Sequence, residues 1–86
     1  MKLTRTMEVE VDLPEAPEGC EWILLSDYSH QIRLSRNGIG HGFVTGAGEL
    51  GTTVSWRVYS TSEEGEAQTQ REAALALFAA LGLEAP

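Results

Sequence analysis

Four side chains in the sequence are of the types that ligate a transition metal. They are spread over three separate segments: Cys20, Asp27, His30 and His41. Zinc sites in proteins combine closely spaced pairs, such as CxxC or HxxxH, which bring two ligands onto one face. The sequence has no such pair, so it predicts no metal centre. His41, between two glycines, is interpreted as an exposed loop residue.

A glycine-rich stretch matches a nucleotide-binding pattern by its letters. Residues 46–51 fit GxGxxG, but a dinucleotide site needs that loop between a strand and a helix. Residues 52–56 have the composition of a strand, and Glu49 would place a negative charge among the phosphates. The pattern is interpreted as a flexible connection, with no cofactor. Because six glycines fall between positions 38 and 51, this stretch is predicted to be the most mobile internal segment.

Hydroxyl and carboxyl groups lack the arrangement of a catalytic site. Ser26, Ser29 and Ser35 fall in predicted turns or strands without an identifiable base. Paired carboxylates such as Glu63 with Glu64 are predicted on exposed faces, whereas catalytic carboxylates need burial and a perturbed pKa. We therefore expect that the protein is not an enzyme.

Most of the chain is predicted to be strand. Apolar and polar residues alternate over residues 3–13, which predicts a half-buried strand whose register is broken at Arg5. Asn37-Gly38 predicts a tight turn, because this pair suits positive φ angles. Three further strands are predicted at residues 21–28, 31–35 and 52–60.

A C-terminal helix is predicted to begin near Ser62. Thr61 and Glu64 have the spacing of a capping box, and Gly82 is a typical C′ residue. A stripe at helical spacing lies between them: Ala67, Ala74, Leu77, Phe78 and Leu81. The elements predict one α+β domain over residues 1–86, an antiparallel sheet of about four strands with one C-terminal helix packed on one face (ββββα).

The formal net charge of −7 restricts the partners of the protein. Residues 1–21 carry two basic and six acidic side chains, and residues 62–86 carry one and five, so each section has a charge of −4. Phosphate backbones and anionic lipids are bound through lysine and arginine. We therefore expect neither nucleic acid nor a membrane as partner. Residues 22–61 differ, with three basic and two acidic side chains, and leave a local patch around Arg33, Arg36 and Arg57.

The cysteine content and the N-terminal sequence indicate a compartment. A single cysteine, Cys20, forms no internal disulfide, so no oxidising environment is implied. The first residues lack the continuous apolar stretch of a signal peptide. A cytoplasmic location is expected.

Strand alternation predicts one sheet face without a covering layer. If Val54 and Val58 face the helix, then Arg33, Arg57 and Tyr59 lie on the opposite face. Tyrosine and arginine dominate the energetic hot spots of protein interfaces, so these three residues are candidates for partner binding. The alternative is a solvated face on which arginines and glutamates pair across strands.

The second half of the helix is a second candidate surface. Ala73, Ala76, Ala79 and Ala80, with Leu75 on the flank, leave little polar surface there, whereas a solvated helix usually has a charged outer face. Leu75 and Ala76 are therefore candidates for a weak homodimer contact. The alternative is that alanine is present for its helix propensity.

These features favour a small acidic interaction module, an adaptor or inhibitor that contacts an unidentified partner protein. The alternative is an acidic mimic of nucleic acid that inhibits a DNA- or RNA-binding protein, which requires carboxylates in two rows. A small enzyme without a cofactor is the third hypothesis.

Overall fold

The computed structural model describes residues 2–6, 8–25, 31–45 and 53–85. These residues form β1 (Lys2–Thr4), β2 (Glu8–Glu10), β3 (Cys20–Leu24), β4 (Ile32–Arg36), β5 (Ile39–Thr45), β6 (Val54–Val58), β7 (Glu64–Ala67) and α1 (Gln70–Leu81). Strands β3 to β7 form an antiparallel sheet in sequential order, while β1 and β2 pair separately. The predicted α+β class is confirmed, with five strands in the main sheet.

The core lies between one face of the main sheet and a layer made by α1 and the N-terminal segment. We call this sheet face the inner face. The rings of Trp22 on β3 and Phe78 on α1 have centroids 5.7 Å apart and join the two layers. The remaining buried apolar residues are Val9, Val11, Leu13, Leu24, Ile32, Leu34, Val44, Val54, Val58, Ala73, Ala74 and Leu77.

Gly42 allows α1 to approach the central strand closely. A Cβ at this position would lie 2.7 Å from Leu77 Cδ1 and 2.5 Å from the carbonyl oxygen of Arg57. Leu77 is completely buried and fills the space that a side chain on β5 would take. A glycine within a strand often marks such a close approach.

Residues 3–13 do not form the single strand that was predicted. The chain turns after Thr4, so that β1 and β2 pair with each other and Leu3 lies opposite Val9. Arg5 falls where an apolar residue would be needed to continue the strand, and its guanidinium donates instead to the carbonyl of Leu25. The alternating pattern is therefore divided by a turn and does not form one continuous strand.

The segment after β2 is tied to both layers of the core. The backbone N–H of Asp12 donates to Oε1 of the buried Gln70 at 2.8 Å. Arg71 Nε lies 3.5 Å from Asp12 Oδ1, and Trp22 Nε1 donates to the carbonyl of Pro14 at 2.9 Å. These contacts hold the N-terminal segment beside α1.

The helix begins at Gln70 and not near Ser62. Thr69 is the N-cap, since its Oγ1 accepts from the backbone N–H of Glu72 at 3.1 Å. Glu72 has the N3 position of a capping box, and its Oε2 accepts from the N–H of Gln68 at 3.3 Å. The predicted cap of Thr61 and Glu64 is therefore wrong.

The residues assigned to the first helical turns are instead an edge strand. Ser62 has a φ of 61° in the turn after β6, and β7 then pairs with β6. The predicted helix end is confirmed, because Gly82 has a φ of 72° and the N–H of Leu83 donates to the carbonyl of Phe78 at 2.9 Å.

The glycine-rich segment predicted to be mobile is in part the central strand of the sheet. Residues 39–45 form β5, preceded by the predicted turn, in which Asn37 has a φ of 53° and Gly38 a φ of 79°. The rest of the segment, including the GxGxxG residues, lies outside the described residues. Nowhere in the described ranges is a helix long and apolar enough to cross a bilayer.

Alanine substitution at the two threonines tests where the helix starts. Thr69→Ala is expected to lower the free energy of unfolding by about 1 kcal/mol, because it removes the N-cap acceptor. Thr61→Ala is the matched control, since its hydroxyl accepts only a long 3.3 Å bond from the N–H of Glu63 in an exposed turn. Urea denaturation measures both. A larger loss for Thr61→Ala than for Thr69→Ala would contradict this assignment.

Candidate functional site

A row of side chains crosses the outer face, the face of the main sheet opposite α1. Arg33 on β4 lies opposite Phe43 on β5, and Phe43 lies opposite Arg57 on β6. The row extends to Ile23 on β3 and Glu64 on β7. Because directly opposed residues share a sheet face, Phe43 lies between two arginines.

Tyr59 joins this row at the end of β6. Its ring centroid is 5.6 Å from that of Phe43, with the planes tilted by 43°, which is within the favourable range for an aromatic pair. Tyr59 is 43% exposed and Phe43 is half-buried. We call Arg33, Phe43, Arg57 and Tyr59 the outer-face cluster.

A bulge in β5 makes room for the cluster. His41 is an extra residue in β5, since Leu34 pairs with Gly42 while Ser35 pairs with Gly40. A Cβ on Gly40 would lie 2.7 Å from Arg33 Cδ and 3.0 Å from Tyr59 Cε2. Both side chains therefore lie against the bare backbone of Gly40.

Ser35 holds the guanidinium of Arg33 in place. Arg33 Nε donates to Ser35 Oγ at 3.0 Å, and Ser35 is completely buried. This bond uses one of the five N–H donors of the guanidinium. Within the described ranges, the two terminal nitrogens of Arg33 have no hydrogen-bond or ion-pair partner.

The two arginines of the cluster differ from two other cations of the chain, Lys2 and Arg71. Lys2 pairs with Glu8 at 3.3 Å and Arg71 pairs with Asp12. Across the part of the chain that the structure describes, no carboxylate lies within 4.0 Å of Arg33 or Arg57. Cross-strand pairing with glutamates, the alternative drawn from the sequence, is therefore not formed there.

A depression of about 350 Å³ opens beside the cluster and reaches the edge strand. Aromatic, cationic and acidic groups meet in it, and of these the aromatic residues and arginine are enriched at protein interfaces. Its lining residues are Phe43, Ser55, Trp56, Arg57, Glu64, Gly65 and Glu66.

The structure brings together three of the five residues singled out from the sequence. Arg33, Arg57 and Tyr59 share the outer face around Phe43, which was missed because its segment was interpreted as a mobile connection. The signal was present in Phe43 and Val44, two good strand formers next to Gly42.

The other two predicted residues lie on the opposite layer. Leu75 is 42% exposed and Ala76 is half-buried on α1. Ala73, which was also placed on the open side of the helix, is completely buried. The weak homodimer through this helix stays a prediction.

The potential metal ligands are distributed as follows. Cys20 lies on β3 and His41 on β5, whereas Asp27 and His30 lie outside the described residues. His41 is half-buried in a strand, so its interpretation as an exposed loop residue is wrong. The described residues contain no group of three or more His, Cys, Asp or Glu that could hold a metal ion.

Comparisons with known proteins gave no match. No protein-family model, no curated protein and no solved structure matches the chain. Its function must therefore be inferred from the chemistry of its own surface.

Replacing Ser35 by Ala tests how Arg33 is positioned. In NMR spectra of the arginine side chains, the Nε–H of Arg33 should exchange with water more slowly than that of Arg57, because only the former has a buried acceptor. In Ser35→Ala the two rates should become similar, with a stability loss of about 1 kcal/mol for the lost bond. Equal rates in the unchanged protein would show that Ser35 does not hold Arg33.

Proposed function

We propose that the protein is a small non-enzymatic interaction module that binds a partner protein through the outer-face cluster. The observation that carries the proposal is the aromatic pair of Phe43 and Tyr59 beside two arginines that have no ion pair with any described residue. Aromatic residues and arginine are enriched in interface hot spots, where a few buried anchors supply most of the binding energy.

The position of the cluster on the sheet supports this role. Phe43 lies on the central strand, which is paired on both sides. Arg33 packs against Gly40 and donates a hydrogen bond to Ser35, so its side chain is constrained. A surface that is ordered before binding loses less conformational freedom in the complex. A protein of this kind acts by contact, as an adaptor or an inhibitor.

The nucleic-acid mimic has less support. Two carboxylates of the acidic N-terminal section, Glu8 and Asp12, are paired with the chain's own cations. A mimic requires two rows of carboxylates, and Glu64 and Glu66 do not contribute to a row along the helix because they lie on β7. The cytoplasmic location and the lack of nucleic-acid, membrane and cofactor binding stay predictions from composition, as does the absence of enzymatic activity.

Affinity capture from the native cell, with quantitative mass spectrometry, tests the proposal. A partner retained by the unchanged protein should be retained at least about tenfold less by Tyr59→Ser, since hot-spot truncation costs about 2 kcal/mol or more and about 1.4 kcal/mol is tenfold. Leu75→Ser removes a side chain of similar exposure, 42% against 43%, from the competing helix surface and should leave retention unchanged. Circular dichroism confirms that both variants fold.

The opposite pattern would contradict the proposal. A partner that Tyr59→Ser retains and Leu75→Ser loses would place the binding surface on α1.

A further inference from the structure

The two cations of the outer-face cluster have no acidic partner among the described residues, although the chain is acidic. The sequence has thirteen acidic and six basic side chains, so carboxylates are abundant. Arg57 even has Glu64 as its cross-strand neighbour, yet among the described residues no carboxylate lies within 4.0 Å of its guanidinium. The same holds for Arg33, so no carboxylate of the described residues competes with one from another molecule for these two cations.

The guanidinium of Arg33 is positioned to bind a carboxylate through two parallel hydrogen bonds. Its Nε is bonded to the buried Ser35 Oγ and its Cδ lies against Gly40, so the guanidinium has little freedom left. The two terminal nitrogens then present parallel N–H groups, the geometry that matches the two oxygens of a carboxylate.

The spacing of the two arginines suits an extended chain. Arg33 and Arg57 are two strands apart, which places their Cα atoms roughly 10 Å from each other. An extended peptide rises roughly 3.3 Å per residue and its side chains alternate between two sides, so carboxylates two or four residues apart lie on one side and reach both guanidinium groups. The rings of Phe43 and Tyr59 then lie beneath the intervening part of the peptide and can take an apolar side chain.

We infer that the partner presents an acidic, extended segment to the outer-face cluster, with carboxylates on Arg33 and Arg57 and an apolar side chain on Phe43 and Tyr59. The inference rests on the proposed function and adds the chemical class of the partner surface.

Single-stranded nucleic acid is the competing occupant, because phosphates also bind arginine and bases stack on aromatic rings. Glu64 and Glu66 line the depression next to Arg57, and the whole chain carries −7. The acidic side chains of the protein repel every phosphate along a nucleic-acid strand. A peptide segment with only two carboxylates is repelled less. The charges therefore favour a protein segment.

Selection from a phage-displayed library of random peptides on the immobilised protein tests the inference. Binding of the selected peptides is then measured by fluorescence anisotropy with the unchanged protein and three variants. The double variant Arg33→Gln/Arg57→Gln removes the two cluster cations. Lys2→Gln/Arg71→Gln is the matched control, because it changes the net charge equally but at cations that pair elsewhere. Tyr59→Ser and the unchanged protein complete the set.

The expected peptides carry at least two Asp or Glu residues two or four positions apart, with an apolar residue between or beside them. Their affinity should fall by about tenfold or more in Arg33→Gln/Arg57→Gln and change by less than about twofold in the control. Replacing the peptide carboxylates by amides should cause the same loss in the unchanged protein.

Three results would overturn the inference. Selected peptides without carboxylates that lose affinity in Tyr59→Ser alone would refute it and leave the proposed function standing. Peptides whose binding survives both Tyr59→Ser and Arg33→Gln/Arg57→Gln, or a library that yields no binder, would refute the inference and count against the outer face as the binding surface. A thymidine oligonucleotide that binds more tightly than the best peptide, and depends on the same two arginines, would identify nucleic acid as the occupant.

Discussion

The contact between Leu77 and the bare backbone of Gly42 determines what each face of the sheet can do. Through this contact α1 packs directly on β5, and the helix buries apolar side chains of the neighbouring strands on the inner face. Because side chains alternate along a strand, the residue after Gly42 must point to the other face. Phe43 is on the outer face for that reason, with Arg33 and Arg57 beside it.

The core on the inner face does not include the aromatic residues of the outer face. The helix contacts β5, β6 and β7, and the N-terminal segment supplies Val11 and Leu13 to the core beside Trp22. The bonds from Asp12 to Gln70 and from Trp22 to Pro14 hold this segment in place. The aromatic pair on the outer face lies outside this core cluster, so the partner contact that we propose there would leave the core unchanged.

The sequence predicted the features that depend on local chemistry. Alternation identified the strands around Leu34 and Trp56, and the Asn37-Gly38 turn and the Gly82 helix end followed from backbone preferences. The predicted helix start near Ser62 is wrong, because Thr61–Glu64 and Thr69–Glu72 have the same capping spacing and only pairing of β7 with β6 distinguishes them. Composition also does not identify Phe43, because the many glycines around it indicate mobility. In the structure, Gly40 and Gly42 instead permit close packing on opposite faces of one strand.

The nuclear Overhauser effect between the Leu77 methyl protons and the Gly42 α protons is the most direct measurement of how the faces are divided. We expect a strong effect between these groups, and none between any proton of α1 and the rings of Phe43 or Tyr59. Effects from α1 to those two rings, without one to Gly42, would show that the helix covers the face proposed for partner binding.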